Sequence, residues 1–418
     1  MKTSNYQVEF KKILDRDYSS SKFKSVRNKA FKQFLDTKFS SKHWDNLRFT
    51  NLKALKENSY RLSDASDRIP KDFDDQDSII QEKYKIVFYN GHYQNHMTSL
   101  PDSIEIVSNL EYHSDHGNKI MEPSNSPFDI LNTAFTDGGM CLKVESNRDI
   151  HEPILVIFVN SGNDRLMTSP RIHIHVGKSS SLQLLEHHIG SQIGNFSNET
   201  TFISLKENSF FKHTRLQMDS GCAINVGNIH VEQEKSSQYN LSHFGLGSTL
   251  GSLSICSNLN GKGAECHINS LCLTKENQHL DSHVLINHNS SHCISSQNFK
   301  NVLKESSSGV FNGKVIVHKN AQKTNSNQSN KNILLSKTAK MNSNPQLVID
   351  ADDVSCSHGS STGEIDPDAL FYLQSRGINE NSAKSMLIYG FIAEIIDSVD
   401  NHYIKDTILS EFDKWIEN

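Results

Sequence analysis

The sequence predicts a mainly β protein, a right-handed parallel β-helix with helical regions before and after it in the chain. Three observations favour this fold. Short segments rich in β-branched and aromatic residues follow one another from about residue 83, and the β-helix is expected over about 95–350. Polar turns containing Asn, Ser or Gly separate them. The apolar content is only 35% of 418 residues, which suits an elongated fold better than a thick globular core.

About two hundred residues of short strands are compatible with a sandwich, a barrel or a solenoid. A sandwich would show longer, cleanly alternating strands joined by hairpins. Here the strands are short and often apolar in clusters, and no convincing long amphipathic helix occurs between roughly 150 and 350. A β-helix fits best, because Asn side chains at its corners can bond along the stack. No fixed repeat length is visible, so this support is indirect.

The N-terminal segment, about residues 6–60, is expected to be helical. In "FKSVRNKAFKQFLDTKF", Val26, Ala30, Phe31 and Phe34 recur at helical spacing. The polar, acidic stretch 63–78 is predicted to be a connector. "KYKIVFYNGHYQ" then alternates with a period of two and contains Asn-Gly, a turn signal.

The C-terminal segment carries helix signals from Asp366 onward. Asp366 precedes Pro367, which suits an N-cap and the first helical residue, and Gly377 fits the position after the helix end. Asn379 or Asn381 can cap the next helix. That helix has a predicted apolar stripe made of Ala383, Met386, Leu387, Phe391 and Ile395. The stripe either packs on the end of the β domain or docks a partner.

These patterns divide the chain into an N-terminal helical region and connector at 1–82, a β-helix core at 83–359 and a C-terminal helical domain at 360–418. One stretch inside the core, "KTNSNQSNKN" (323–332), has the composition of a disordered linker. Strand-like "KVIVH" precedes it and "ILL" follows it. We therefore expect an ordered or partly ordered corner of the same domain.

Composition excludes several classes of protein. Lys and Arg number 43 against 48 Asp and Glu, so the net charge of −5 gives no reason to expect nucleic acid or an anionic membrane as partner. The first residues lack the apolar region of a secretory signal, and no run of 18 apolar residues occurs. The seven cysteines are widely spaced without a C-x-x-C pair, which argues against a disulfide framework or a closed zinc site. We expect free thiols in a reducing, cytoplasmic compartment.

The strongest candidate site is the pair Cys356 and His358 in "QLVIDADDVSCSHG", interpreted as one strand running to residue 359. Side chains alternate along a strand, so these two face one side and Ser357 the other. With Asp352 and Asp353 nearby, they suit iron or zinc. Two ligands do not complete a site. The residues alone leave three interpretations open, namely a structural role, shared metal ligation and a catalytic Cys–His pair.

Other histidine clusters are weaker candidates, because 21 histidines make such coincidences common. They are His173 and His175 in "IHIHV", "EHH" (186–188), "HSDH" (113–116), "ECH" (265–267) and "SHC" (291–293). Each is interpreted as a set of polar strand or turn residues.

The stretch "DDVSCSHGSSTGEIDPDALFYLQSRGI", continued by "AKSMLIYGFIAEII" (383–396), closely resembles the C-terminal signature of the SufB/SufD family of iron–sulfur cluster assembly proteins. Further segments resemble family landmarks in the expected order, so the resemblance spans nearly the whole chain. They are "DNLRFTNLKAL" (45–55), "LNTAFTDGGMCLKV" (131–144), "HEPILVIF" (151–158) and "GVFNGKVIVHKNAQKT" (309–324).

Within that family the chain is similar to the SufD branch. SufB-type relatives typically have a glutamate directly after the matching histidine, where this chain has Gly359. One departure lies in the N-terminal landmark, where Leu47 and Phe49 stand in place of the usual Trp and Tyr. Both substitutions keep an apolar or aromatic side chain, so they put little in doubt.

The resemblance implies a scaffold subunit and not an enzyme. It implies pairing with a SufB-type paralogue and binding of a SufC-type ATPase through the C-terminal helices, for which Leu387 and Phe391 are the candidate contacts. No phosphate-binding loop of the G-x-x-x-x-G-K-[ST] type occurs here, consistent with ATP hydrolysis in a partner. A homodimer of the isolated chain is also conceivable.

The resemblance also implies a transient iron–sulfur cluster at the interface with SufB, and none in the isolated chain. His358 would be a shared ligand there, with Cys356 supporting it from the same strand face. The rival hypotheses are a purely structural subunit with both residues inert, and a carbohydrate-active β-helix enzyme.

Overall fold

The computed structural model describes residues 3–16, 21–40, 44, 47–50, 52–65, 83–108, 126–162, 164–190 and 193–417. Most of the predicted connector 63–78 and the "HSDH" segment lie outside these residues.

The described helices are α1 Thr3–Arg16, α2 Ser21–Thr37, α3 Lys53–Glu57, a 3₁₀ turn Asn95–Met97, α4 Pro127–Phe135, α5 Pro367–Ser375, α6 Glu380–Asp397 and α7 His402–Glu417. The described strands are β1 Arg61–Leu62, β2 Lys85–Tyr89, β3 His92–Tyr93, β4 Ile104–Ser108, β5 Gly138–Val144, β6 Ile154–Asn160, β7 Leu166–Thr168, β8 Pro170–Val176, β9 Ser181–Gly190, β10 Phe196–Leu205, β11 Phe210–Met218, β12 Ile224–Gln233, β13 Gln238–Gly245, β14 Leu250–Leu259, β15 Glu265–Thr274, β16 His279–His288, β17 Ile294–Leu303, β18 Ser308–Val317, β19 Asn325–Leu334, β20 Lys340–Ile349 and β21 Ser355–Gly363.

The strands form two sheets in which each strand from β8 onward pairs in parallel with the strand two places later. The even-numbered strands lie in the order β20-β18-β16-β14-β12-β10-β8, and the odd-numbered ones in the order β21-β19-β17-β15-β13-β11-β9. Successive strands therefore alternate between two facing sheets and wind as a solenoid of about eight turns. The predicted parallel β-helix is confirmed.

The turns of the solenoid differ in length, which explains why the sequence shows no fixed repeat. Ile224 pairs with Leu250, 26 residues later, whereas Ser308 pairs with Lys340, 32 residues later. The insertions fall at corners, where extra residues do not disturb the register of the strands.

Stacked corners account for the many Asn and Ser residues. Ser179, Asn208 and Ser236 have φ values of 52°, 58° and 55°, in the left-handed region. The backbone N–H of Ser179 donates to the carbonyl of Glu207 in the next turn at 2.9 Å, and the N–H of Asn208 donates to Lys235 at 2.9 Å. The predicted Asn ladders are also present, with pairs Asn258–Asn287, Asn260–Asn289 and Asn301–Asn332 each bonded at 2.7 Å.

The molecule has one apolar core inside the solenoid and one on each outer face. Apolar side chains from both sheets fill the lumen. Helices α1, α2 and α4 cover the even-numbered sheet, and α6 and α7 cover the odd-numbered sheet. Of the two alternatives for the apolar face of the C-terminal helices, packing on the β domain is observed, but on the face of the odd-numbered sheet and not on the end of the solenoid.

The N-terminal prediction holds for α2, where Ala30, Phe31 and Phe34 are buried. The sequence did not reveal α4. All nine of its residues are buried, so this helix lacks the polar face that makes an amphipathic pattern visible.

The predicted caps of the C-terminal helices are confirmed. The Asp366 carboxylate accepts from the N–H groups of Asp368 and Ala369, and Asn379 caps the next helix through the N–H of Ser382. Gly377 has a φ of +88°. The C-terminal helical region also contains a third helix, α7.

The predicted apolar stripe of α6 is only partly right. The buried residues of α6 are Ala383, Ile388, Ile392, Ile395 and Ile396, whereas Met386 is 53% exposed. The helix is apolar nearly all round, so periodicity alone placed the buried face one residue out of register.

Residues 323–332 are ordered, but as a strand and not as a corner. They supply most of β19, which pairs along its length with β17 and β21. Ser326, Gln328, Asn330 and Asn332 are buried and point inward. A strand with polar inward side chains has the composition of a linker, which is why composition alone was ambiguous.

The segment "QLVIDADDVSCSHG" is likewise two strands. Strand β20 ends at Ile349, a corner follows, and β21 begins at Ser355 and runs to Gly363. The expectation of a single strand ending at residue 359 is therefore wrong.

All seven cysteines are free thiols, and Cys141, Cys266, Cys272 and Cys293 are buried. Within the described part of the chain, no helix is both long enough and apolar enough to cross a membrane.

Candidate functional site

The candidate site lies on the last strand of the solenoid. Among the described strands, β21 ends the order of the odd-numbered sheet and has β19 as its one partner there. Most of its side chains are exposed, and the side chains of β20 are exposed or half-buried. The described end of the solenoid therefore presents the free edge of a sheet, a surface that proteins usually cover or pair.

Cys356 and His358 face the lumen at this open end. In register, Cys356 stacks on Ser326 and His358 stacks on Gln328, and both lower residues are buried inside the solenoid. Ser357 faces outward. The predicted shared face of the pair is therefore confirmed, and it is the face that an additional turn would cover.

The two candidate ligands differ in their surroundings. His358 is exposed, whereas Cys356 is half-buried against the apolar lumen core. Burial raises the pKa of the Cys356 thiol, and a hydrogen bond from the Ser326 backbone opposes this effect. At neutral pH Cys356 is therefore a thiol, which must lose its proton before it can bind a metal.

The nearby carboxylates do not complete a ligand set. Asp353 lies in the corner before β21, where its carboxylate forms an ion pair with Lys323 and its N–H donates to Gln322 Oε1 at 2.9 Å. Asp352 is exposed in the same corner. The structure thus brings Cys356 and His358 together without a third ligand from the described residues around them.

The floor of the open end is polar. Ser360 donates to Ser343 Oγ at 2.7 Å across the lumen, and Ser343 donates to Asn330 at 2.8 Å. Gln328, directly under His358, is hydrogen-bonded to Gln297 at 3.3 Å. A Cβ built on Gly359 would meet no atom within 4 Å, so a larger side chain has room at this position.

Within the described residues, the histidines of "IHIHV", "ECH" and "SHC" lie on strands or in a corner, as expected. His173 stacks on Phe202 with ring centroids 5.2 Å apart, His267 bonds Ser296 Oγ at 2.7 Å, and His292 is a corner residue with a φ of 61°.

"EHH" proves to be more than a pair of polar strand residues. Glu186 and His188 point into the lumen, where they meet Glu199 and Arg215. The sequence alone does not reveal this cluster, because its members come from three strands and the register of the solenoid brings them together.

The candidate partner contacts on α6 are half-buried. Phe391 packs against the helix-covered face of the odd-numbered sheet, and its carbonyl accepts from Lys300 Nζ at 2.8 Å. The exposed apolar side chains nearby are Phe371 and Tyr372 on α5 and Met386 and Tyr389 on α6, exposed by 71%, 57%, 53% and 39%. A groove of about 1160 Å³ separates this pair of helices from the last turns of the solenoid.

Comparisons with known proteins agree with these features. The family model described as "SUF system FeS cluster assembly, SufBD core domain" matches residues 158–391. A SufBD family iron–sulfur cluster assembly protein of Synechocystis is 30% identical over 334 residues, which cover 75% of this chain and 74% of that protein. The iron–sulfur cluster assembly protein SufD of Escherichia coli is 26% identical, covering 90% of this chain and 89% of its own. SufD of Bacillus subtilis is 25% identical, with 69% and 66% covered.

Proposed function

Because the chain belongs to the SufBD family of iron–sulfur cluster assembly proteins and is of the SufD type, we propose that it is a scaffold subunit whose final strand helps to build a cluster at an interface with a SufB-type partner. The cluster is the cargo of this assembly and is absent from the isolated chain. The observation that carries the proposal is the placement of Cys356 and His358 on the exposed edge strand, facing the open lumen.

The chemistry of the pair supports ligation shared between chains. An imidazole nitrogen or a thiolate donates to iron, but two donors cannot hold a cluster. A partner that stacks on β21 would supply the remaining ligands and exclude water. Metal binding at this interface would also offset the free-energy cost of removing the proton from Cys356, since a metal favours the thiolate. His358 is the primary ligand and Cys356 the supporting one.

We propose in addition that residues 367–418 bind a SufC-type ATPase. Helix α5 has no buried residue and carries exposed aromatic side chains, which a solvent-facing helix does not need. The exposed residues Phe371, Tyr372, Met386 and Tyr389 form this contact surface, together with the accessible parts of Leu387 and Phe391.

The test of the cluster proposal is co-expression with SufB-type and SufC-type partners, followed by anaerobic purification through one tagged subunit. His358→Ala should leave the isolated subunit folded, at a cost of ~0.5 kcal/mol or less, because the side chain is exposed. Iron and acid-labile sulfide per complex should fall, while the subunit ratio stays unchanged. Cys356→Ser should have a smaller effect and the double variant the largest.

His318→Ala is the matched control, since His318 is an exposed histidine at another corner of the solenoid. Unchanged iron and sulfide in the double variant would leave a purely structural subunit as the better description. Loss of the SufB-type partner from His358→Ala would make the strand a pairing surface and would contradict the ligand role as stated.

A further inference from the structure

A buried cluster of ionisable side chains lies inside the lumen, away from the edge strand. Glu186 and His188 extend from β9, Glu199 from β10 and His213 and Arg215 from β11. The exposed fractions of Glu186, His188 and Glu199 are 3%, 0% and 3%. From β11 to β21 there are five steps across the sheet, or roughly 24 Å at the usual strand spacing. The cluster is therefore separate from Cys356 and His358.

Two buried polar atoms of this cluster face each other without a hydrogen-bond partner among the described residues. His188 Nε2 lies 3.4 Å from Glu186 Oε2, within hydrogen-bonding geometry. A neutral imidazole that donates from Nε2 carries a lone pair on Nδ1. That Nδ1 faces Glu199 Oε2 at 3.5 Å, and neither atom has a hydrogen-bond partner. A metal ion bound between these two atoms would satisfy both, as would a second proton on the ring, and the metal content of the protein distinguishes the two.

The carboxylates of this cluster outnumber its one permanently charged side chain among the described residues. Glu186, Glu199 and the nearby buried Asp219 supply three carboxylates, against one guanidinium from Arg215. Arg215 uses its Nη2 on Glu199 Oε1 at 2.5 Å, which leaves Glu199 Oε2 for another partner. In a closed lumen the excess negative charge must be balanced, either by protons on His188 and His213, which lie beside these carboxylates, or by a bound divalent ion.

We propose that one ring nitrogen of His188, Glu199 Oε2 and a carboxylate oxygen of Glu186 bind a divalent first-row transition metal ion, of the Fe²⁺ or Zn²⁺ class. One ligand atom from each residue already lies within 4.8 Å of the others. Bonds of about 2.0–2.2 Å require small side-chain shifts to close that spacing. One imidazole and two carboxylates form a donor set that both ions accept.

His213 is available as a fourth ligand. Its Nε2 lies 3.1 Å from Glu186 Oε1 without forming a hydrogen bond, and its Nδ1 is paired with the Tyr239 hydroxyl at 3.0 Å. The Tyr239 hydroxyl at Nδ1 holds the His213 ring in an orientation that leaves Nε2 to bind a metal. The ion would be a resident structural ion that ties β9 to β10, distinct from the cluster proposed at β21.

The experiment uses the full chain alone. The protein is expressed with added iron and zinc, dialysed against EDTA, and its metal content is measured by mass spectrometry. A second sample is unfolded and refolded anaerobically with Co²⁺, which reports nitrogen and oxygen ligands through its visible absorption. We expect about one ion per chain, without acid-labile sulfide, and a higher melting temperature for the Co²⁺-refolded protein than for protein refolded with EDTA.

His188→Gln should abolish both the retained metal and the Co²⁺ bands. His288→Gln is the matched control, because His288 is also fully buried in the lumen but lies outside the cluster, and it should retain the ion. Glu199→Gln keeps an oxygen for Arg215 and should also lose the metal.

Wild-type protein without stoichiometric metal and without Co²⁺ bands would overturn the proposal even if a variant failed to fold. Equal metal in wild type and His188→Gln would overturn it too. Sulfide in proportion to iron would indicate a cluster instead.

Discussion

At the scale of single residues, the contact between His230 and Asp129 couples a helix to the solenoid. His230 Nε2 lies 2.9 Å from Asp129 Oδ2, and Thr200 donates to the other carboxylate oxygen at 3.1 Å. Burial of the ring disfavours its charged form. The Asp129 carboxylate outweighs that effect, with a smaller contribution from Cys256, and the pKa of His230 rises to about 10. His230 is therefore an imidazolium at neutral pH, bound to a carboxylate of α4.

This pair predicts a defined pH dependence of stability. The pKa of His230 is higher in the folded chain than in the unfolded chain. Its contribution is therefore fully present below about pH 6.5 and is lost as the pH rises towards 10. We expect the difference in unfolding free energy between wild type and His230→Gln to shrink by roughly 2 kcal/mol across that interval, allowing for solvent that reaches the ring.

Urea unfolding at several pH values measures that difference. His318→Gln, which changes an exposed histidine, should show no such trend. A wild-type advantage over His230→Gln that stays constant from pH 6.5 to 10 would mean that the ring is not charged in the folded state.

The sequence correctly predicted that Cys356 and His358 share one strand face, because alternation along a strand is local. It did not show that both side chains face the lumen, since that depends on their register with Ser326 and Gln328. The Glu186 cluster was missed for the same reason. Contacts across neighbouring strands are set by the register between distant segments, which no short window of sequence contains.

At the scale of elements, local chemistry determined the ends of helices better than their faces. The caps at Asp366 and Asn379 were predictable because side-chain oxygens bind N–H groups two or three residues away. The buried face of α6 was not, because the surface of the sheet selects it. Strand β19 likewise forms because its polar side chains complete ladders with β17 and β21, as in the bond between Asn301 and Asn332.

The pair of helices α5 and α6 carries the element-scale prediction. Combined Phe371→Glu and Met386→Glu substitutions should abolish co-purification of the SufC-type ATPase and leave the SufB-type partner bound. Both side chains are more than half exposed, so the melting temperature should change little. Gln374→Glu adds a charge to the exposed, polar part of α5 and serves as the control.

Normal SufC-type binding by the double variant would place the docking surface elsewhere. Leu387→Glu and Phe391→Glu are less informative, because both positions are half-buried and Phe391 contacts the sheet face. Loss of SufC-type binding in these two variants could follow from an altered contact surface or from a displaced helix, and the experiment would not separate the two causes.

At the scale of the whole molecule, the solenoid has two sheet faces covered by helices and one uncovered end. Helices protect both sheet faces, whereas β20 and β21 expose side chains that include Val348 and Ile349, at 40% and 41%. Free edges of this kind pair readily with other strands. We therefore expect the isolated chain to form a homodimer through this end, with the two copies related by a twofold axis.

Proline at position 360 tests that expectation. The N–H of Ser355 donates to the carbonyl of Thr324, the residue directly before β19. Residues alternate in direction along a parallel strand, so the N–H at residue 360 points towards the free edge. Ser360→Pro removes this donor without breaking the ladder to β19. Light scattering should show a dimer for wild type and a monomer for the variant. Ser360→Ala also loses the side-chain bond to Ser343, and as the control it should remain dimeric.

The SufB-type partner would bind the same edge. The homodimer and the complex with the SufB-type partner would therefore exclude each other. Adding that partner to the homodimer should release monomers and form the heteromeric complex, and Ser360→Pro should weaken both associations. A strand added to this edge, from a second copy of the chain or from the SufB-type partner, would cover Cys356 and His358. Only a partner that brings further ligands would complete a cluster site. Wild-type protein that stays monomeric at high concentration, or a homodimer that survives saturating SufB-type partner, would show that this end is not the shared surface.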